Sequence, residues 1–223
     1  MNYKAINRYL REPVNSLTHG FGAIAAFGGL ILLLQEAFVR GSMSHLISFS
    51  MFGLSMVLLY TSSTLYHALP VKEKALNLLQ KFDHCMIYVL IAGTYTPICL
   101  LVLDGSLKWG FFATVWSLAV LGIIKKVLWM GAPRWLSTSF YLAMGWMAVF
   151  TFPTLMEKLP LAFLGWITAG GLAYSVGAVI YGLKKPNPIP EWFGSHEIWH
   201  LFVLAGTSSH FWAIYYYLPG YAG

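Results

Sequence analysis

Residues 194–223 read GSHEIWHLFVLAGTSSHFWAIYYYLPGYAG. From Ile198 to Gly223 the stretch contains no Lys, Arg, Asp or Glu, and it is longer than the roughly 20 residues that cross a bilayer as a helix. His196 and His200 are four residues apart, so on a helix their side chains lie about 40° apart around the axis. The stretch therefore predicts a membrane-spanning helix that begins with two metal-ligand residues on one face.

The composition is that of an integral membrane protein. Of the 223 residues, 58% are hydrophobic and 10% are charged, whereas a soluble domain carries about 25% charged residues. The net charge of +6 does not indicate nucleic-acid binding, because the positive charges lie in short gaps between apolar runs. We expect membrane lipids, and no nucleic acid, as the partners of this chain.

Seven apolar stretches follow a polar and basic segment at residues 1–16. Most of them are about 18 residues or longer, near the length that spans a bilayer, and short connections favour antiparallel neighbours. The pattern predicts an all-α bundle of seven transmembrane helices, formed by one domain at residues 17–218. The predicted spans are 17–39, 45–69, 82–103, 107–128, 135–156, 160–183 and 196–218.

The distribution of Lys and Arg predicts the orientation of the bundle. Alternating the seven spans places eleven of these residues on the side of the N-terminus and only Arg40, Lys108 and Lys158 on the other side. Cytoplasmic loops carry the excess of Lys and Arg in membrane proteins. We therefore expect a cytoplasmic N-terminus and an external C-terminus.

Most of the histidines fall in one layer at the predicted cytoplasmic side. His67 ends the second span, and His196 and His200 begin the seventh. Ionisable groups within spans are costly and tend to mark function, and three histidines with an open fourth position match a catalytic zinc site. We interpret these three residues as ligands of Zn²⁺, with an interfacial histidine pair that binds no metal as the alternative.

Asp83 and Ser63 are the candidate catalytic residues. Asp83 begins the third span, and the turn 70–80 is expected to return it beside His67, where a carboxylate could hold a water and accept its proton. Ser63 lies one turn before His67 and could hydrogen-bond the water or a substrate carbonyl. Two structural alternatives stay open, namely a helix N-terminal charge for Asp83 and a bond from Ser63 to its own helix.

The remaining histidines and Glu197 have other interpretations. His84 is expected to support the site rather than bind the metal, and His19 is either structural or part of the same cavity. His210 lies about 21 Å deeper along the seventh helix, so we expect it to be packed. Glu197 completes a literal His-Glu-x-x-His motif, but we expect a solvated residue of a first turn, because other spans already supply a third ligand and a carboxylate.

Several motifs resemble those of the haemolysin III family, the bacterial branch of the progestin and adiponectin receptor superfamily. They are EPVNSLTH at 12–19, STLYH at 63–67, KFDHC at 81–85, AGTYTP at 92–97 and HEIWH at 196–200, with Gly206 and His210 beyond.

The resemblance implies a seven-helix protein of the bacterial inner (plasma) membrane with a cytoplasmic N-terminus. Receptors of the superfamily and the similar alkaline ceramidases hold zinc with three histidines, which correspond here to His67, His196 and His200. The family's aspartate and serine fall on Asp83 and Ser63. Because the ceramidases hydrolyse a lipid amide, the resemblance implies a hydrolase of a lipid amide or ester that uses a zinc-bound water.

Two other functions stay open. The chain could be a non-enzymatic protein of membrane homeostasis, or a receptor-like protein, in which the zinc is structural. It could also be a haemolysin that forms a pore, although a pore needs a polar stripe across the bundle and the polar groups concentrate at one end. Nothing in the sequence indicates an oligomeric state.

Overall fold

The computed structural model describes residues 10–221, and residues 1–9 of the predicted N-terminal segment lie outside the described residues. Within this range the chain forms seven long helices and no β-strand, with a single isolated bridge between Ile189 and Phe193. The predicted all-α fold is confirmed. The helices are α1 (Pro13–Arg40), α2 (Met43–Ala68), α3 (Glu73–Leu101), α4 (Gly105–Leu128), α5 (Arg134–Lys158), α6 (Leu161–Leu183) and α7 (Ser195–Tyr217).

Apolar side chains cover the outside of this bundle. On α1, Leu17, Phe21, Ile24 and Phe27 follow one another at steps of three or four residues, and each is at least 58% exposed. A helix in water turns such a stripe towards the core, so its outward position indicates that lipid surrounds it. Among the described helices, α1 to α6 are long and apolar enough to cross a membrane.

The order of helix packing brings the two ends of the chain together. α1 packs on α2, α2 on α3, and α3 on α4, while α6 and α7 form a second extensive pair. α7 also packs against α1, so the first turns of α7 lie near the segment that enters α1. Among α1 to α6, α3 is the most enclosed helix. Of its most apolar 18-residue segment, 72% is buried, compared with 17% in α5.

Two helices begin well before the predicted spans, by four residues in α1 and by nine in α3. α1 begins at Pro13, a residue favoured in the first turn of a helix because it lacks an N–H that would need a partner. α3 begins at Glu73 rather than at residue 82. Its first turns are polar and continue the helix beyond the apolar segment. The prediction missed them because hydropathy indicates which residues contact lipid and not where helical hydrogen bonding begins or ends.

α5 is interrupted near its middle, between the segments Arg134–Trp146 and Ala148–Lys158. Backbone groups freed inside a membrane need new partners, because lipid supplies none. The Tyr95 hydroxyl, from α3, provides them: it donates to the carbonyl oxygen of Met144 at 3.1 Å, contacts that of Gly145, and accepts the Ala148 N–H at 2.9 Å. One side chain therefore stabilises the break and joins α5 to the central helix.

We expect Tyr95→Phe to lower the free energy of unfolding by about 1–3 kcal/mol, the usual cost of leaving a buried polar group without a partner. Denaturant titration of the detergent-solubilised protein measures this change. The matched control is Tyr216→Phe, because the Tyr216 ring is 63% exposed. Equal stability of the two variants would contradict this role of the Tyr95 hydroxyl.

Candidate metal centre

Three histidines from two helices meet where α2 ends and α7 begins. His67 lies in the last turn of α2, and His196 and His200 lie in the first turns of α7. Their possible ligand atoms are all within 4.8 Å of one another. The ring centroids form a nearly equilateral triangle, with sides of 5.1 Å from His67 to His196 and 4.9 Å for the other two pairs. The three side chains can therefore reach one metal ion.

Two nitrogens of this group are buried without a hydrogen-bond partner among the described residues, Nε2 of His67 and Nδ1 of His200. Leaving a buried polar atom unpaired costs about 1–3 kcal/mol, so such atoms call for an explanation. Imidazole nitrogens are good ligands for zinc, copper, iron and nickel. The donor set and its unpaired nitrogens therefore fit a bound metal ion.

Glu12, just ahead of α1, determines which nitrogen of His67 is free. Its Oε2 lies 2.6 Å from Nδ1 of His67. Burial raises the pKa of the Glu12 carboxyl, but the hydrogen bond from His67, the positive charge of Arg11 and the hydrogen bond from Asn15 act in the opposite direction, and the pKa is lowered overall. A carboxylate only accepts hydrogen bonds, so Nδ1 of His67 carries the proton. Nε2 keeps the lone pair that a metal needs.

Asp83 lies beside this cluster but not at a helix terminus. Because α3 begins at Glu73, Asp83 is well inside the helix, and its alternative interpretation as a helix N-terminal charge is wrong. The side chain is 7% exposed, lies against the Ser63 hydroxyl and is close to His67. A carboxylate in this position could exchange a proton with a molecule held near the histidines.

Ser63 and His19 form a second layer of contacts around the centre. The Ser63 hydroxyl lies 2.7 Å from Nδ1 of His19, rather than on a carbonyl of its own helix. The His19 ring stacks on the His200 ring, with centroids 3.6 Å apart and planes 14° apart. His19, which the sequence left with two interpretations, therefore lines the site and holds both Ser63 and a candidate ligand.

Glu197 caps α7 and connects it to α1. Its Oε2 accepts the backbone N–H of Gly194 at 2.8 Å, and its Oε1 accepts the Asn15 side-chain amide at 2.8 Å. Glu197 does lie in the first turn, but it is half-buried and bonded rather than simply solvated. Both oxygens are occupied in this way, which agrees with rejecting Glu197 as a metalloprotease-type base.

The other histidines lie outside the three-histidine cluster. His84, next to Asp83 in the sequence, is half-buried and is not one of the grouped ligands. His210 donates from Nε2 to the carbonyl oxygen of Ile167 at 3.1 Å. A Cβ atom added at Gly170 would lie 2.5 Å from the His210 ring. His210 is therefore packed tightly against α6, as predicted.

A cavity of about 890 Å³ opens beside the centre. His196, His200, Asp83 and Ser63 line one part of it, and apolar side chains of α3, α5 and α6 form most of the remaining wall. The volume is within the range of about 300–1,000 Å³ typical of small-molecule sites. The candidate site therefore combines a polar end with room for a largely apolar ligand.

Sequence reasoning assembled the three histidines, Asp83 and Ser63, but gave no role to Glu12 and no partner to Asn15. One signal could have indicated Glu12: it is an acidic residue directly ahead of the first span, at the depth predicted for His67. Its actual partner lies 55 positions along the chain, and no local pattern specifies such a pair.

Comparisons with known proteins agree on one family. A profile described as Haemolysin-III related matches residues 7–211. The chain is 39% identical to Hemolysin-3 of Bacillus cereus, over 96% of this chain and 94% of that protein. It is 41% identical to a Hemolysin-3 homolog of Bacillus subtilis (strain 168), over 92% and 93%. It is also 27% identical to the Adiponectin receptor protein of Drosophila melanogaster, over 94% of this chain and 51% of the receptor.

We expect His67→Ala, His196→Ala and His200→Ala each to lose metal affinity by more than the approximately 10–100-fold typical of changes to residues that only support a ligand. The physical reason is the loss of one of three donors. Elemental analysis and chelator competition on purified protein measure it. His84→Ala is the control, since it removes a half-buried histidine from the same layer. Equal metal content in all four variants would contradict the assignment.

Proposed function

Because this chain belongs to the haemolysin-III-related family of membrane proteins, and because its three-histidine centre faces a cavity, we propose that it is a zinc-dependent hydrolase of a lipid amide or ester. The observation that carries the proposal is the position of Asp83. A buried carboxylate lies beside three clustered imidazoles and a hydroxyl, at the polar end of a cavity with mostly apolar walls. A purely structural metal site does not require that carboxylate.

His67, His196 and His200 would hold the zinc ion. When bound there, zinc supplies a Lewis acid that polarises a carbonyl and makes water a stronger nucleophile at neutral pH. The side chains of His67 and His200 are held in place, because His67 donates to Glu12 and the His200 ring is stacked on His19.

Asp83 would move the protons of the reaction. The oxygen of a water molecule forms a bond to the carbonyl carbon of the lipid while one of its protons passes to the Asp83 carboxylate. The bond from that carbon to the amide nitrogen or ester oxygen then breaks, and the leaving group takes a proton from Asp83. A carboxylic acid and an amine or alcohol result, and Asp83 returns to its starting state.

Ser63 would position the carbonyl. Its hydroxyl lies between His19 and Asp83, so its orientation is restricted before substrate enters. A hydroxyl held in this way can donate to the carbonyl oxygen as negative charge develops there. The largely apolar walls of the cavity would take the hydrocarbon chain of the lipid.

In this proposal the chain crosses a bacterial plasma membrane several times, and the N-terminus and the metal centre are on the cytoplasmic side. The Bacillus relatives and the eleven-to-three distribution of Lys and Arg support it.

We expect Asp83→Asn to reduce lipid turnover by about 10²–10⁴-fold, the usual contribution of a general acid–base group, while bound metal is retained. Purified wild type and variant are compared on defined ceramides and phospholipids by mass spectrometry, with metal content measured on the same samples. His84→Ala, next to Asp83 on α3, serves as a control for disturbance of the helix. A wild type no faster than Asp83→Asn on every lipid would contradict the proposal.

A second function is favoured by the place of the metal centre in the fold. The centre joins the end of α2 to the start of α7, beside the segment that enters α1, so a metal could serve only to hold these parts together. The protein would then be a non-enzymatic factor of membrane homeostasis or a receptor-like protein.

Under this second function, chelation should lower the melting temperature by several degrees while no lipid is turned over. Saturation at 100 times Kd adds about 2.7 kcal/mol, and 1 kcal/mol shifts the melting temperature by about 2–4 °C in a chain of this size. Thermal unfolding with and without chelator measures the effect, with His67→Ala as the control that should no longer respond. Metal-dependent turnover that is sensitive to Asp83→Asn would exclude this alternative.

A further inference from the structure

The segment ahead of α1 is attached to the end of α2 by its backbone. The N–H of Arg11 donates to the carbonyl oxygen of Ala68 at 3.2 Å, and the N–H of Glu12 donates to that of His67 at 2.9 Å. The Arg11 guanidinium also lies over the Tyr66 ring, 4.5 Å from its centroid. These contacts place the Glu12 side chain directly beside His67.

The Glu12 carboxylate is held on both oxygens. Oε1 forms an ion pair with Arg11 at 2.5 Å. Oε2 accepts from Nδ1 of His67 at 2.6 Å and from the Asn15 amide at 3.0 Å. With the carboxylate restrained on two sides, the His67 ring can satisfy Nδ1 in one orientation only, and in that orientation Nε2 is the nitrogen left unpaired.

Asn15 extends this network to the other ligand helix. Its amide nitrogen has two hydrogens and donates to both Glu12 and Glu197, at 3.0 and 2.8 Å. Glu197 in turn accepts the Gly194 N–H at the start of α7. A continuous chain of hydrogen bonds therefore connects His67 to the turn that carries His196.

We infer that Glu12 is a positioning residue for the metal: it fixes His67 with the proton on Nδ1 and the lone pair of Nε2 towards the other two histidines, and Asn15 ties this arrangement to α7. The inference rests on the metal centre of the proposed function, but not on any turnover. A carboxylate that accepts from a ligand histidine fixes its tautomer and orientation and strengthens it as a donor. None of the three histidines can fix its own tautomer and orientation in this way.

Glu12→Gln is the sharpest test because it keeps the size of the side chain. The glutamine removes the negative charge that strengthens His67 as a donor. Its amide nitrogen can also donate to Nδ1, which favours a proton on Nε2 and removes the lone pair of that nitrogen from the metal. We expect zinc affinity to fall by about 10–100-fold, measured by chelator competition on the full chain. With cobalt(II) in place of zinc, the absorption spectrum of the metal should also change, since it reports the donors directly.

Two further variants separate positioning from simple attachment of the segment. Arg11→Gln removes one restraint on the carboxylate and the contact with Tyr66, but it keeps the bonds from Glu12 to His67 and Asn15. Zinc affinity should therefore fall clearly less than in Glu12→Gln, by about threefold, which is less than 1 kcal/mol. Glu73→Gln removes an exposed negative charge from the first turn of α3 and should have no effect on zinc affinity.

Each outcome decides the inference. A loss of zinc affinity in Glu12→Gln that is clearly larger than in Arg11→Gln, with none in Glu73→Gln, supports it. Unchanged binding in Glu12→Gln overturns it, and so does an equal loss in Arg11→Gln together with a lower melting temperature of the metal-free protein, which would indicate attachment only. A wild type that binds no zinc overturns both this inference and the proposed function, whereas zinc binding without lipid turnover affects the proposed function alone.

Discussion

Inside a membrane bundle each nitrogen of a buried imidazole needs a partner, and at His67 this requirement organises one end of the molecule. Nδ1 is satisfied by Glu12, and Nε2 is directed to a cluster that could share a metal ion. The first partner comes from the segment ahead of α1, and the second from α7. Satisfying one side chain therefore brings three distant parts of the chain to a single point, which is both a candidate site and a tertiary junction.

The same constraint explains the interruption of α5. Lipid cannot solvate free backbone groups, so the break depends on the Tyr95 hydroxyl from α3. Ser63 and His19 likewise satisfy each other across α1 and α2. In each case a polar group of one helix provides the hydrogen-bond partner that a polar group of another helix needs. The resulting bond fixes the relative position of the two helices more specifically than apolar packing against lipid could.

Hydropathy and spacing predicted much of this arrangement. Long apolar runs identified the seven helices, and the four-residue spacing of His196 and His200, combined with the depth of His67, identified the cluster. The start of α3 at Glu73 was missed because hydropathy reports contact with lipid, whereas a helix continues for as long as its backbone bonds are made. The Glu12–His67 pair and the Tyr95 contacts were missed because their partners are about fifty residues apart and depend on the completed fold.

The helix that carries two of the three histidines is also the one with the least typical membrane sequence. α7 is as long as α6, at 23 residues, yet only α1 to α6 among the described helices are apolar enough to be identified as spans. Three of its polar side chains, Thr207, Ser209 and His210, are bonded to α6 instead of facing lipid. Ser209 donates to the Trp166 carbonyl oxygen at 2.7 Å, and Thr207 lies 2.7 Å from the Tyr174 hydroxyl. The bonds to α6 therefore satisfy three polar side chains of the helix that holds two of the candidate ligands, and those side chains do not face the membrane.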